Sequence, residues 1–164
     1  SRVGVPLTVY ATLCFLMRDG EVLLIRKRRG FGAGKYNGVG GRIEEGERPE
    51  QAAAREVWEE VGVKVLELEY AGRLEFYSTG GEPDWVVYVY RSRRFRGEPR
   101  PSLETEPRWF RLEELPFDEM WIDDRYWLPH VLAGRVVEGR FRFNSDYTEL
   151  LEWSLDVNEY SQSS

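Results

Sequence analysis

The chain contains a single cysteine, Cys14, and a single histidine, His130, among its 164 residues. Each scarcity removes a class of protein. One cysteine cannot build a disulfide framework within the chain, which fits a reducing compartment and predicts a cytoplasmic protein. Cys14 sits in an apolar run and reads as a buried core thiol. A zinc site needs several Cys or His ligands, and His130 has no partner at metal spacing, so it is expected to be a partly buried helix residue. Long hydrophobic runs are also lacking. The longest apolar segment, Leu7 to Met17, is broken by Thr8, Tyr10 and Thr12 and is too short to span a bilayer. It has neither the basic flank nor the cleavage site of a secretory signal, so no membrane partner is expected. Finally there is no excess of positive charge. Twenty-three Lys and Arg against 29 Asp and Glu leave a formal net charge of −6. Such a chain has no global field that would draw it onto a phosphate backbone, so no nucleic acid polymer is expected as a partner.

What is present is enough apolar material for a real core. With 41% hydrophobic and 14% aromatic residues, the length suits one globular domain. The expected domain covers residues 1–157, followed by a polar tail, 158–164, that should fray. Leu7 to Met17 and Glu21 to Arg26 flank the turn chemistry of Arg18-Asp19-Gly20 and read as a hairpin. Glycines at 30, 32, 34, 38, 40, 41 and 46 mark a loop suited to close backbone approach to a ligand. From Pro49 to Val61 the composition turns helical, with proline in the first turn and Gly62 at the C-terminal cap. Ala53, Val57 and Val61, or alternatively Ala54, Trp58 and Val61, can line its buried stripe. Strand-like runs follow at Val63 to Tyr70, Arg73 to Tyr77, Trp85 to Phe95 and Trp109-Phe110. A second helix enters through an Asp cap near Asp123, ends at Gly134, and is kinked or short because of Pro129. Val137 to Phe143 and Glu149 to Val157 form a last hairpin that turns at Asn144-Ser145-Asp146. This order predicts an α/β (α+β) fold with helices packed on a curved mixed sheet.

On the first helix Glu56, Glu59 and Glu60 fall at i, i+3 and i+4, which puts three carboxylates on one face. The mutual repulsion costs only a few tenths of a kcal/mol on a wet helix, so a solvated acidic face is an equally permitted reading on energy alone. Glu47 upstream adds a further carboxylate, and Arg55 within the helix can orient or partly neutralise the group. A cluster of oxygens with no nitrogen or sulfur partner selects a hard cation such as Mg²⁺, with Mn²⁺ as a substitute.

Gly41, five residues, Glu47, seven residues, Arg55-Glu56-Val57, one residue, Glu59-Glu60, one residue and Gly62-Val63 together occupy every fixed position of the Nudix box. A pattern of that length at fixed spacing is far more specific than a lone glycine fingerprint. The chain thus resembles the Nudix hydrolases, whose fold is an α/β/α sandwich with a loop-helix-loop at the metal site. The resemblance implies hydrolysis of a nucleoside diphosphate linked to another moiety. It also implies that Glu56, Glu59 and Glu60, with Gly41, hold divalent ions or position water. A polyanionic diphosphate meets an acidic site only if a metal reverses the local sign, so affinity should collapse without it. Arg55 is then an orienting partner, its pKa being too high for proton donation. Glu104 matches a further carboxylate that some members bring to the metals or the water; it also reads as a solvent-exposed loop acid.

Beyond the box, Lys27 to Gly38 and Phe117 to Trp127 are similar to the MutT-homologue branch that sanitises oxidised purine nucleoside triphosphates. That resemblance assigns Asn37, Trp121, Asp123 and Asp124 to the purine, Phe31 and Phe76 to apolar walls, and Lys27 to the polar end of the substrate. Two adjacent aspartates in an apolar pocket should not both ionise, which leaves one donor and one acceptor for a purine edge. Exchange of the proton between them would admit both 8-oxo-guanine and 2-oxo-adenine. The competing reading makes Asp123 a helix cap, Asp124 a solvated acid, and Trp121 and Trp127 core aromatics. Two departures stand out: Ile122 occupies the place of a proline in mammalian members, and Glu75 to Gly81 is more polar and slightly longer than their wall. The expected activity is conversion of 8-oxo-dGTP or 2-oxo-dATP to the monophosphate and pyrophosphate by a monomer rather than a homodimer. Another nucleotide as substrate, such as ADP-ribose, a dinucleoside polyphosphate or a methylated or undamaged purine triphosphate, and a noncatalytic nucleotide-binding module are the alternatives.

Overall fold

The computed structural model describes residues 7–159, so residues 1–6 and, of the tail expected to fray at 158–164, residues 160–164 lie outside the described residues, while Asn158 ends the last strand opposite Val136. The strands are β1 (Val9–Arg18), β2 (Glu21–Lys27), β3 (Tyr36–Asn37), β4 (Val39–Arg42), β5 (Lys64–Tyr77), β6 (Trp85–Arg96), β7 (Thr105–Arg111), β8 (Val136–Phe143) and β9 (Leu150–Asn158). Two α-helices, α1 (Pro49–Val61) and α2 (Asp124–Leu132), and one 3-10 turn at Phe117–Glu119 interrupt them among the described residues. The sheet runs β3-β2-β1-β6-β5-β8-β9, with β4 added to β1 and β7 to β2. β1 with β6 and β5 with β8 are parallel and the other pairs antiparallel, so the sheet is mixed as expected.

β1 and β2 are apolar on both faces because a helix covers each face. Cys14 and Leu16 of β1 and Leu23 and Ile25 of β2 point to one core with Ala53, Val57 and Val61 of α1. Phe15 and Met17, with Val22 and Leu24, point to the other core with Trp127, Leu128 and Val131 of α2. Alternation at a period of two divides the residues between the layers. The layers form the expected α/β/α sandwich. Cys14 is fully buried, and burial pushes its thiol up to about 12, in keeping with an inert core position.

α1 begins and ends where its punctuation predicts. Pro49 occupies the first turn, Gln51 Oε1 accepts from the Arg48 backbone N–H at 2.9 Å, and Gly62 closes the helix at φ 71°. Its buried side is Ala52, Ala53, Val57 and Val61, whereas Trp58 is 58% exposed, so the first of the two predicted stripes is the correct one. Each buried valine contributes about 1.5 kcal/mol or more.

Four details differ from the sequence expectations. The hairpin at Asp19-Gly20 exists, but β1 and β2 pair only at Met17 with Val22 and Arg18 with Glu21 before β4 replaces β2 beside β1. The glycine-rich stretch is not a plain loop, because it contains β3 and β4. Gly40 permits this: a Cβ there would fall 1.8 Å from the Thr12 carbonyl oxygen. The runs either side of Gly72 form one strand with a local irregularity rather than two strands. Asp123 stands at the N-cap of α2 but makes no side-chain cap bond, since its carboxylate turns inward to Trp127. At the other end of α2, the buried Arg91 donates to the carbonyls of Val131 (3.2 Å), Gly134 (2.9 Å) and Arg135 (2.8 Å), and to Glu69 Oε2 at 3.0 Å. A side chain from β6 therefore ties down the chain as it leaves α2, adding to the Gly134 N–H that already reaches the Val131 carbonyl at 3.0 Å.

Candidate active site

The helical spacing of α1 sets its acidic side chains beside β4, and Arg55 organises them. Arg55 Nε and Nη2 grip Glu47 at 2.6 and 3.0 Å; Nη1 reaches Glu56 at 2.7 Å and Glu59 at 2.9 Å; Nη2 also donates to the Arg42 carbonyl at 3.0 Å. Only a planar guanidinium offers that many donors at fixed angles. The Glu47 carboxylate, with Glu56 behind it, raises the guanidinium pKa, while Arg55 holds the Glu47 carboxyl below its ordinary value. Gly41 leaves room for Glu56, since a Cβ there would lie 2.6 Å from the carboxylate carbon.

Glu60 differs from its neighbours. Its Oε2 is buried and has no hydrogen-bond partner among the described residues. Burial first, then the Glu56 charge, pushes its carboxyl up to about 7, against the opposing pull of Lys27. A buried acceptor without a donor is costly unless something positive arrives there. Among the described residues no three acidic or other ligating side chains close on a single point as they stand. Arg55 Nη1 occupies the space between Glu56 and Glu59. The residues nevertheless fit a hard divalent cation on three counts: an all-oxygen donor set, the orphaned Glu60 Oε2, and the side-chain-free backbone of Gly41 beside Glu56.

From this acidic end a cavity of about 440 Å³ runs to the base of α2. Gly41 and Glu60 line one end, and Asp123, Asp124 and Trp121 the other; Lys27, Phe31, Asn37 and Phe76 lie along the same cavity. All seven residues expected to bind substrate therefore share one space with the carboxylate helix. Asn37 Oδ1 accepts from the Gly38 N–H at 2.8 Å, which fixes its amide. Phe31 and Trp121 face each other with ring centroids 5.1 Å apart, and Lys35 Nζ lies 5.2 Å from the Trp121 ring.

Asp123 and Asp124 are 3% and 2% exposed, which excludes a solvated Asp124. Asp123 Oδ2 accepts from Trp127 Nε1 at 2.7 Å, so Trp127 is both a core aromatic and the partner of this acid. Asp124 Oδ2 is buried with no partner among the described residues. Burial raises both carboxyls, and the Asp123 charge raises Asp124 further. Asp123 takes the negative charge because it has a donor, and Asp124 keeps the proton. One acceptor and one donor thus stand side by side at the end of the cavity.

Glu104 is not brought to this group. It lies on the exposed loop before β7, its carboxylate paired with Arg29 (Nε to Oε2 3.0 Å). The sequence reading also missed residues that the cavity includes. Thr12 is 1% exposed, its hydroxyl unpaired among the described residues, and it lines the cavity beside Gly41, its register partner across β1 and β4. Trp85, Phe143 and Tyr147 complete the walls. No local motif marks them; only the pairing of β1 with β6 and the turn after β8 bring them in.

The NUDIX domain family matches residues 7–131. The chain is 41% identical to the oxidized purine nucleoside triphosphate hydrolase of Danio rerio over 148 residues, covering 90% of this chain and 94% of that protein. It is 39% identical to the protein of the same name from Mus musculus over 144 residues, covering 88% and 92%. Among solved structures, the mutator MutT protein from Bacillus halodurans superposes with a TM-score of 0.80 at 29% identity, covering 90% of this chain and 97% of that one. The chain belongs to the NUDIX family of hydrolases.

Proposed function

We propose that this chain is a Mg²⁺-dependent hydrolase that converts oxidised purine (deoxy)nucleoside triphosphates, 8-oxo-dGTP and 2-oxo-dATP among them, to the monophosphate and pyrophosphate. The observation that carries the reading is one cavity lined both by Glu60 of the acidic helix and by two adjacent buried aspartates, Asp123 and Asp124. The relatives from Danio rerio and Mus musculus named above bear the matching activity in their names. A bound Mg²⁺, or Mn²⁺ in its place, would supply the positive charge that lets an acidic site accept a polyphosphate and that offsets charge gathering on phosphorus.

Glu56, Glu59 and Glu60 hold the ion or position the attacking water, with Gly41 leaving them space, and Arg55 fixes their directions. Lys27, beside Glu60, faces the phosphates. Water adds to phosphorus and a P–O anhydride bond breaks, so that pyrophosphate leaves. Trp121 stacks on the base, Phe31 and Phe76 exclude water from its flanks, and Asn37, Asp123 and Asp124 read its edge. Proton exchange between the two aspartates lets a single pocket take two donor–acceptor patterns. Glu104 serves the site only once Arg29 releases it. The enzyme acts as a cytoplasmic monomer on free nucleotides.

The test is a Mg²⁺-dependent screen of 8-oxo-dGTP, 2-oxo-dATP, dGTP, ADP-ribose and dinucleoside polyphosphates. Preference for the oxidised purines is expected, and equal turnover of undamaged dGTP would refute the sanitation reading. Glu60→Gln should lower kcat by about 1,000-fold or more. Full activity in that variant would refute the metal assignment.

A further inference from the structure

The turn between β8 and β9 carries Tyr147 at φ 61°, one of two described non-glycine residues with positive φ. For a bulky side chain that conformation costs about 1–2 kcal/mol, and asparagine or glycine would make the same turn without it. The turn does not need a tyrosine for its own bonds. Asn144 Oδ1 already accepts from the N–H groups of Thr148 (2.8 Å) and Glu149 (2.9 Å). What the tyrosine adds lies on the far side of the cavity. Its ring stacks on Phe143 at 5.0 Å and stands edge-on to Trp121 at 6.3 Å and to Phe31 at 6.2 Å. Its hydroxyl donates to Asp84 Oδ2, 63 residues away in sequence.

Asp84 is itself fixed. Its N–H donates to the Phe76 carbonyl at 2.7 Å, and its carbonyl accepts from the Val9 N–H at 2.9 Å. Arg142 Nη1 adds a second tie across the same gap, to the carbonyls of Ser78 (2.6 Å) and Gly80 (3.1 Å). Burial and the neighbouring Asp84 raise the Tyr147 pKa, so its hydroxyl remains a donor. The turn after β8 and the loop before β6 are therefore cross-linked, and the link presses an aromatic edge against the two rings that flank the base end.

We propose that Tyr147, tied to Asp84, is a specificity-determining residue: its ring sets the position of Trp121 and Phe31 and so the fit of a purine between the cavity walls. The proposal rests on the reading of this cavity as a purine site. It assigns part of the base selectivity to a turn outside every motif of the chain. The backbone strain at Tyr147 is offset by those contacts rather than by the turn.

The experiment compares kcat and KM on 8-oxo-dGTP and dGTP, with Mg²⁺, for the parent, Tyr147→Phe and Tyr147→Asn. Asparagine keeps the turn and removes the ring; phenylalanine keeps the ring and removes only the tie. Loss of the edge-on contacts to Trp121 and Phe31, along with the stack on Phe143, should raise KM about 10-fold in Tyr147→Asn and narrow the 8-oxo-dGTP preference in kcat/KM, with kcat within about twofold of the parent. Tyr147→Phe should raise KM about threefold. A merely structural tyrosine would move the melting temperature alone. Unchanged KM and selectivity in Tyr147→Asn, or unchanged KM in Tyr147→Phe should the other variant not fold, would overturn the proposal. Equal parent turnover of the two triphosphates would defeat the oxidised-purine reading while the KM comparison still decides Tyr147. No turnover of any purine nucleotide would overturn both.

Discussion

Replacing both members of the aspartate pair, Asp123→Asn with Asp124→Asn, should stabilise the protein increasingly as pH rises. Asp123 is fully buried, and burial pushes its carboxyl from the ordinary 3.8 up to about 6. A folded value above the unfolded one means that the native state binds the proton more tightly. The contribution is therefore fully present below pH 3.8 and is lost as pH rises through about 6. The full difference amounts to about 3 kcal/mol, of which about 2 kcal/mol is lost between pH 4.5 and 7.5. Asp124 is shifted in the same direction by burial and by the Asp123 charge, so it adds with the same sign. Asparagine has no such titration, and its pH-independent costs cancel when two pH values are compared. For a chain of this size 2 kcal/mol corresponds to about 4–8 °C in melting temperature. Thermal melts of parent and double variant at pH 4.5, 6 and 7.5, followed by circular dichroism, should show the gap moving at least that far in favour of the variant. A constant or reversed gap would show that the pair is not buried and proton-sharing.

Gly41→Ala should lower kcat by about 100-fold with little change in melting, because the new methyl group displaces the Glu56 carboxylate by an ångström or more; unchanged kcat would separate Gly41 and Glu56 from the chemistry. Arg91→Met should destabilise the fold by about 3 kcal/mol, since the carbonyls of Gly134 and Arg135, just past α2, lose the donors that Arg91 supplies. Denaturant unfolding reads that loss, and a change under 1 kcal/mol would contradict the capping role. Glu104→Gln should reduce kcat only about 10-fold, far less than Glu60→Gln, because its carboxylate is engaged with Arg29. Equal losses in the two variants would place Glu104 at the centre of the site. Chelation by EDTA should abolish turnover and added Mg²⁺ or Mn²⁺ should restore it, whereas activity retained in EDTA would exclude a metal-dependent reaction.

The acidic face of α1 is legible without coordinates because helical periodicity acts over four residues. Once Pro49 and Gly62 bound the helix, Glu56, Glu59 and Glu60 fall together by geometry alone. The turns at Asp19-Gly20 and at Asn144 are local in the same sense, and so is the alternation that divides Cys14 and Leu16 from Phe15 and Met17. The aspartate pair was only half legible. Crowding of two acids predicts a shared proton wherever the site is dry, but dryness depends on Trp127, Phe143 and β8 packing over it. The inward turn of Asp123, away from the helix cap, follows from the 2.7 Å bond to Trp127, available only in the assembled core. Glu104 was ambiguous for a related reason, because an exposed loop acid takes whichever cation the fold sets beside it, here Arg29. Tyr147 had no local signal at all. Its place beside Trp121 depends on β8 lying parallel to β5 and on a tie to Asp84 across the sheet. Sequence alone thus determined the helix, its carboxylates and the cation chemistry they favour, since those rest on short-range backbone geometry. Tertiary structure alone decided which acids are dry, which are neutralised and which rings bound the cavity, since burial belongs to the whole fold.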